Sequence, residues 1–517
     1  MKLLIVLALV VSTVNSANIL VFSHTPAISH QFVFRAISRE LSLRGHRVTF
    51  VTSNPMADPS LTNLTEIDIS ISYEIFKNID ASVFNREANS IFKVALLGLK
   101  FTEDLFMLQM SAQCMKDLLK QPQNSYDLLV VEVGIPAYHA LQHKFKAPLV
   151  AVSSYSIPTY LHATLGNPVH PLIYTGMFSD FSDSIRSIWR NFDNLFIYLL
   201  ETFFINFFGY PKFDEIARTY FGDDMPYIQD LMRETSLTIS NVNPIISDRR
   251  PLAPNVIEVW NLHLNRTEDP PTSDIRRIVD EAKNGFVYFS LGTNVRFEQV
   301  GAEFKENVLK ALGQLPFTVL CKWQSEDHPG KPKNVVLRKW FPQQFVMSHP
   351  NLKVFVTQGG LQSSEEAIIN GVPLVIIPFL GDQPKNARLL TEQGMAETIS
   401  PSALTADILK NTILKVENDK SYRSRAQELR SIFLDQPQSG LDKVIWLFEY
   451  VIRHKGAKHL KSPSADISLY EYFLVDVFAV IFAALFLWYK LAKFLLKLII
   501  GFLMKKKRVV NSTKKKN

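Results

Sequence analysis

The sequence predicts an α/β fold, with two parallel-sheet domains facing a cleft and a C-terminal transmembrane helix behind them. Three observations predict it. Short apolar runs ending in Gly, Ser, Thr or Pro alternate with helix-period stretches in two separate series. At 517 residues the chain exceeds what one ordinary core holds. Close to its C-terminus, residues 472–489 are apolar except for Asp476.

The elements follow in chain order. Residues 1–16 combine one lysine, a short apolar core and a small Ser16, the pattern of a secretory signal too short to span a membrane. The first domain is assigned to 17–250. It opens with a strand at 19–22, a helix at about 30–43 and a strand at 47–52, with Gly45 as the helix stop. In that helix Phe32, Val33, Ile37, Ser38 and Leu41 fall near one face. This is a βαβ unit, and strands at 128–131 and 149–152 repeat it. The aromatic-rich stretch 177–210 reads as a buried helix pair; an acceptor pocket or a membrane-touching helix are its other readings. A boundary is placed at 251–284. The second domain, 285–465, restarts with FVYFSLGT and continues through TVLCKW, NVVLRKW, LKVFVTQGG and VPLVIIP. Two Rossmann-like domains account for the body, and in such sheets ligands bind at the carboxyl ends of strands.

The transmembrane helix is expected over 470–490, with Tyr470/Tyr472 and Trp488/Tyr489 at its two interfaces. Lys490, Lys493 and Lys497 then share one helical stripe, suiting either a longer tilted span or an interfacial helix. Residues 491–517 form a basic tail. Its last part holds seven cations (Lys505, Lys506, Lys507, Arg508, Lys514, Lys515, Lys516), which equal the whole formal charge of +7. The basic balance therefore points to no nucleic-acid partner. It places the tail in the cytosol and the body in a lumen by the positive-inside rule. Lys514 and Lys515 resemble a dilysine retrieval signal of the endoplasmic reticulum, so a single-pass type I membrane protein of that compartment is expected. Two cysteines, Cys114 and Cys321, exclude a disulfide framework and leave room for one bridge. Asn63 and Asn265 head glycosylation sequons.

Three features of the second half carry chemistry. Trp340 and Gln343, after a strand, suit stacking on a nucleobase and reading its edge. The turn VTQGGLQSSEEA runs from a strand into a helix start, where free N–H groups and the helix dipole favour a diphosphate and the glycines let it approach. Asp382 and Gln383 stand at a further strand end and suit sugar hydroxyls. In the first half, His30 stands at a strand-to-helix turn, where by itself it reads as a helix-cap histidine and, beside the donor features, as a base. An imidazole with an ordinary pKa near 6.5 can accept a hydroxyl proton at neutral pH. A carboxylate behind it fixes the tautomer.

In this order and spacing the motifs resemble the donor signature of the UDP-glycosyltransferases, over almost the whole chain. The SHQ and SLGT elements and the terminal span add to the likeness, which is greatest with the insect membrane-bound branch. The resemblance implies a GT-B type fold and inverting, metal-independent transfer from a UDP-sugar, UDP-glucose rather than UDP-glucuronate, to a hydroxyl of a small lipophilic acceptor. It implies His30 as general base and Glu132 as the acid that orients it. It implies that Trp340 and Gln343 hold uridine and that Glu366 takes the ribose hydroxyls. Thr293, Gln358, Gly360, Gln362 and Ser363 then hold the diphosphate, and Asp382 and Gln383 the sugar. No cofactor is implied, the UDP-sugar being a co-substrate. Membrane lipid and a homo- or hetero-oligomer are the further partners.

Some residues depart from the family pattern. Gln358 stands for the usual histidine, Glu132 for aspartate, Gln362 for asparagine, Trp260-Asn261 for a Gly-Gly pair and Cys321 for tryptophan. The Gln358 amide still donates hydrogen bonds, so weakened but working donor binding is expected. A catalytically weak lipophile-binding protein of the same fold is the alternative. A nicotinamide oxidoreductase fails because the first turn reads SHTPAISHQ, with no Gly-x-Gly-x-x-Gly.

Overall fold

A computed structural model of the chain describes residues 16–78, 91–170, 173–174, 188–247, 249–265, 271–293, 300–326, 328–379 and 381–513. The secretory signal expected at 1–16 lies outside these residues except for Ser16, and so does the dilysine signal. The described chain divides into a body up to Lys461 and a second unit from Ser462.

The body holds two sheets. The first contains β1 (Asn18–Phe22), β2 (Arg47–Thr52), β3 (Leu64–Asp68), β4 (Leu128–Glu132), β5 (Leu149–Ser153), β6 (Leu237–Asn241) and β7 (Val256–Val259). Their order is β3-β2-β1-β4-β5-β6-β7, and every pairing is parallel. Helix α1 (Ile28–Leu43) crosses from β1 to β2, and α2 (Ile188–Phe204) lies between β5 and β6. The second sheet contains β8 (Phe286–Ser290), β9 (Thr318–Lys322), β10 (Val335–Arg338), β11 (Leu352–Thr357), β12 (Leu374–Ile376) and β13 (Ala396–Thr398), in the order β10-β9-β8-β11-β12-β13 and again parallel. Helices α3 (Gln343–Ser348), α4 (Leu361–Asn370) and α5 (Gln383–Glu392) follow β10, β11 and β12, and α6 (Gly440–Arg453) closes the body.

Parallel strands need crossovers, which cover both sheet faces. The central strands are accordingly buried throughout and apolar up to a polar last residue: β4 reads LLVVE and β8 reads FVYFS.

The domain limits differ from the expectation. Strand β7 lies inside the expected boundary 251–284 yet pairs with β6 as the seventh strand of the first sheet. Helix α6, expected in the second domain, packs Leu441, Val444, Ile445, Phe448 and Val451 against Ile19, Val130 and Val150 of the first sheet. Helical spacing reveals which face of α6 is apolar; it does not reveal which sheet will cover that face.

Two smaller expectations also change. In α1 the buried face is carried by Val33, Phe34, Ile37 and Leu41, and Phe32 turns to the cleft. Within 177–210, α2 is not a buried helix. It exposes Trp189, Phe192, Phe196, Leu199 and Phe203 and turns Asn194 and Tyr198 inward, while 177–187 lies outside the described residues. Cys114 and Cys321 are both free, the second fully buried in β9, so no bridge joins them.

In the second unit, α7 (Val475–Thr513) is one uninterrupted helix. Its stretch Val475–Lys505, 31 residues, is long and apolar enough to cross a membrane. At 1.5 Å per residue it spans about 46 Å, more than a hydrocarbon core of about 30 Å. The helix starts later than the expected 470, because Leu474 has a positive φ and separates it from a preceding turn, Leu469–Tyr472. It then continues past 490, so Lys490, Lys493 and Lys497 belong to it.

Candidate active site

The carboxyl ends of strands from both sheets border one cleft of about 430 Å³. His30 enters it from the first turn of α1, beside the 154–159 loop that follows β5. Thr293, Trp340, Gln343, Gln358, Gly360, Gln362, Ser363, Glu366, Asp382 and Gln383 border it from the second sheet. Ten residues scattered over ninety positions meet there because each follows the end of a parallel strand.

Glu132 ends β4, next to β1, and lies behind His30. His30 Nδ1 and Glu132 Oε1 are 2.6 Å apart. The second oxygen of Glu132 accepts from the Ser23 hydroxyl at 3.1 Å and the Thr25 N–H at 2.9 Å. Burial opposes ionisation of this carboxyl, but His24, His30 and the Thr25 N–H outweigh it and bring it down to about 2. His24 lies 3.9 Å from the same carboxylate, and its own burial lowers its pKa. With Nδ1 engaged by Glu132, Nε2 is the ring nitrogen His30 has for the cleft. Tyr155 meets the His30 ring edge-on at 5.6 Å, and burial first, then Glu132 and Asp382, push its hydroxyl up to about 12.

On the opposite wall α4 begins directly after β11. Its N-cap is Gly360, so the helix points its first N–H groups and positive dipole end at the cleft. Gly359 has φ +83, and a Cβ there would come within 2.7 Å of Ile376, so the turn requires glycine. Gln358 is nearly buried. Its Oε1 accepts from the Thr357 hydroxyl at 3.0 Å, and its Nε2 lies against Gly292 and Gly360.

Gln343 organises the next turn of α4. Its Nε2 donates to Ser363 Oγ at 3.0 Å and to Glu366 Oε2 at 2.5 Å, and its Oε1 accepts from Tyr288 OH at 3.1 Å. Asp382 Oδ2 accepts from Asn386 Nδ2 at 2.7 Å, and burial raises the Asp382 carboxyl. Gln383 Oε1 accepts from the Phe379 N–H at 2.9 Å, bracing the preceding turn.

Two site residues have duties the sequence did not suggest. Gln362, expected on the diphosphate, donates its amide to the Ser29 carbonyl at 2.5 Å and so ties the second domain to the first beside His30. Asn63, expected to carry a glycan, donates its amide to the carbonyls of Ser42 (2.9 Å) and His46 (2.7 Å), closing the end of α1. A glycan on that nitrogen would break this arrangement. Asn265 ends the short helix Leu262–Asn265, and the rest of its sequon lies outside the described residues.

Several cleft residues were missed. Lys322 stands with its ammonium 4.3 Å from the centre of the Trp340 ring. Asn386 bridges Asp382 and the Gly359 carbonyl; its i+4 spacing from Asp382 on a helix was a usable signal. Tyr155, in SSYS, carried none. Among the described residues no three His, Cys, Asp or Glu side chains converge as a metal site would need.

The chain is similar to known proteins over most of its length. The chain is 32% identical to UDP-glycosyltransferase UGT5 of Dactylopius coccus, over 91% of this chain and 89% of that protein. It is 31% identical to the ecdysteroid UDP-glucosyltransferase of Lymantria dispar multicapsid nuclear polyhedrosis virus, over 90% of this chain and 94% of that one. Among solved structures, TcCGT1 in complex with UDP aligns with a TM-score of 0.54 at 16% identity, over 85% of this chain and all of that one. Residues 17–509 match the family model described as UDP-glucoronosyl and UDP-glucosyl transferase. The chain belongs to that family and is a UDP-sugar glycosyltransferase with a two-sheet GT-B fold.

Proposed function

We propose that the enzyme transfers glucose from UDP-glucose to a hydroxyl of a small lipophilic acceptor, inverting the anomeric centre without a metal. The observation that carries this reading is the 2.6 Å contact of His30 Nδ1 with Glu132, in the same cleft as the N-terminus of α4. As the acceptor oxygen attacks the anomeric carbon, His30 Nε2 takes its proton and Glu132 stabilises the imidazolium. The bond from the anomeric carbon to the β-phosphate oxygen breaks, and the N–H groups of α4 meet the charge that develops on UDP. Attack opposite the leaving UDP inverts the centre.

Within this reading Trp340 stacks on uracil, Gln343 and Glu366 hold uridine, and Thr293, Gln358, Gly360 and Ser363 surround the diphosphate. Asp382 and Gln383 read the sugar. UDP-glucose is favoured because the viral relative compared above is named an ecdysteroid UDP-glucosyltransferase. The span in α7 and the basic residues after it support a type I protein of the endoplasmic-reticulum membrane with a luminal body.

The test uses full-length protein in microsomes, offered UDP-glucose and UDP-glucuronate with mixed phenols and steroids. His30→Ala should lower transfer by about 10²–10⁴-fold and leave UDP binding unchanged. Product mass spectra report the sugar, and NMR of the product reports inversion. Unchanged turnover of His30→Ala would sink the mechanism. Binding of UDP with no transfer by the wild type to any acceptor would favour a lipophile-binding role instead.

A further inference from the structure

Glu365 and Glu366 are consecutive on α4, so their side chains point about 100° apart around the helix. Glu366 faces the cleft, and Glu365 points into the body. Both are buried, Glu365 completely. Two adjacent buried carboxylates would repel each other, and burial first, then Glu366, raises the Glu365 carboxyl well above its ordinary value, so Glu365 keeps its proton and Glu366 carries the charge. The group packed beside both comes from another part of the chain. His263, 1% exposed, sits in the short helix after β7. Its Nδ1 is 3.4 Å from Glu365 Oε2, and its Nε2 is 3.7 Å from Glu366 Oε1. The backbone of Asn261, two residues earlier and at φ +71, lies beside Glu365 and partly offsets the effect of burial on its carboxyl. Glu366 thus has the His263 ring packed beside one oxygen, at 3.7 Å, and a hydrogen bond from Gln343 at the other.

We infer that His263 and Glu365 are positioning residues for the donor: the imidazole, packed between the two glutamate side chains, sets the direction in which Glu366 meets the ribose hydroxyls. The segment joining the two sheets then contributes to donor recognition without touching the donor. This rests on the reading that Glu366 receives the ribose hydroxyls, and the experiment tests the two separately.

Calorimetry on the detergent-solubilised full chain compares UDP with 2′,3′-dideoxy-UDP, which lacks those hydroxyls. Wild type should prefer UDP by about tenfold or more, since a site built for a hydroxyl rejects its absence. Glu366→Gln should collapse the preference; if it does not, the ribose reading fails and the inference fails with it. Given that collapse, His263→Gln should shrink the preference about tenfold while changing dideoxy-UDP affinity less than about twofold. It should also raise KM for the UDP-sugar with kcat within about threefold. Equal loss for both nucleotides would make His263 a merely structural residue and overturn the inference, as would an intact preference. Glu365→Leu, which fills the volume but removes the polar group behind the imidazole, gives the same readout if His263→Gln does not fold.

Discussion

Gln358 and Gly292 are packed together so closely that a Cβ on Gly292 would lie 2.1 Å from Gln358 Nε2. Gly292 also has φ +73, where any side chain is strained. The end of β8 therefore fixes the amide that follows β11 at the floor of the cleft. Gly292→Ala should destabilise the body by about 1–3 kcal/mol and weaken UDP binding. Gln358→Ala on that background should recover the steric part and leave the backbone strain, a coupling that a double-mutant cycle measures. Thermal melts and UDP calorimetry that match wild type for Gly292→Ala would refute the packing argument.

Glu132 is held at about 2 against an ordinary carboxyl value of 4.5. A depressed carboxyl contributes stability that is fully present above 4.5 and is lost as pH falls through the window down to about 2. Wild type should therefore lose stability across this window more steeply than Glu132→Gln, whose amide does not titrate. Denaturant melts at several pH values measure the difference between the two slopes. Parallel slopes would mean that Glu132 is not ionised against His30 and Thr25 in the folded chain.

The hydrogen bond from Gln362 to the Ser29 carbonyl joins residues of the two domains at the edge of the cleft. Losing it should cost about 1 kcal/mol of domain closure. Gln362→Ala should then lower kcat/KM by roughly three- to tenfold with UDP affinity less affected, because the hydrogen bond aligns His30 with the donor wall. A fall confined to UDP affinity would instead place Gln362 on the diphosphate.

The fold and most of the site were legible because parallel strands announce themselves as short apolar runs and end where ligands bind. His30, Trp340, Glu366 and Asp382 could be placed from the strands that precede them. What stayed hidden depends on contacts between distant segments. Helix α6 has an apolar face in the sequence, yet only the folded chain shows that the first sheet covers it. The sequon at Asn63 is a local pattern, whereas the commitment of its amide to Ser42 and His46 is tertiary. His263 reads as an isolated histidine until α4 brings two glutamates to it. The Trp260-Asn261 departure becomes intelligible in the same way: Asn261 sits at φ +71, a conformation glycine adopts freely and asparagine tolerates.

Lys322 ends β9 beneath the exposed Trp340 ring, with its ammonium 4.3 Å from the ring centre. Burial lowers this amine to about 8 from an ordinary 10.5. The slope has the same sign as for Glu132, since both groups bind their proton less tightly in the folded chain than in the unfolded one; here the penalty of burial lies below pH 8. Below pH 8 the folded chain keeps the cation against the cost of burying it. Between 8 and 10.5 the folded form gives up its proton more readily than the unfolded chain does, so stability should rise relative to Lys322→Met. The cation also steadies the ring on which uracil would stack, a contact of about 0.5–2 kcal/mol. Lys322→Met should accordingly weaken UDP binding several-fold at pH 7, and wild type should approach the variant's affinity as pH rises past 8. A pH-independent difference in UDP affinity would assign the effect to side-chain shape rather than to the charge on Lys322.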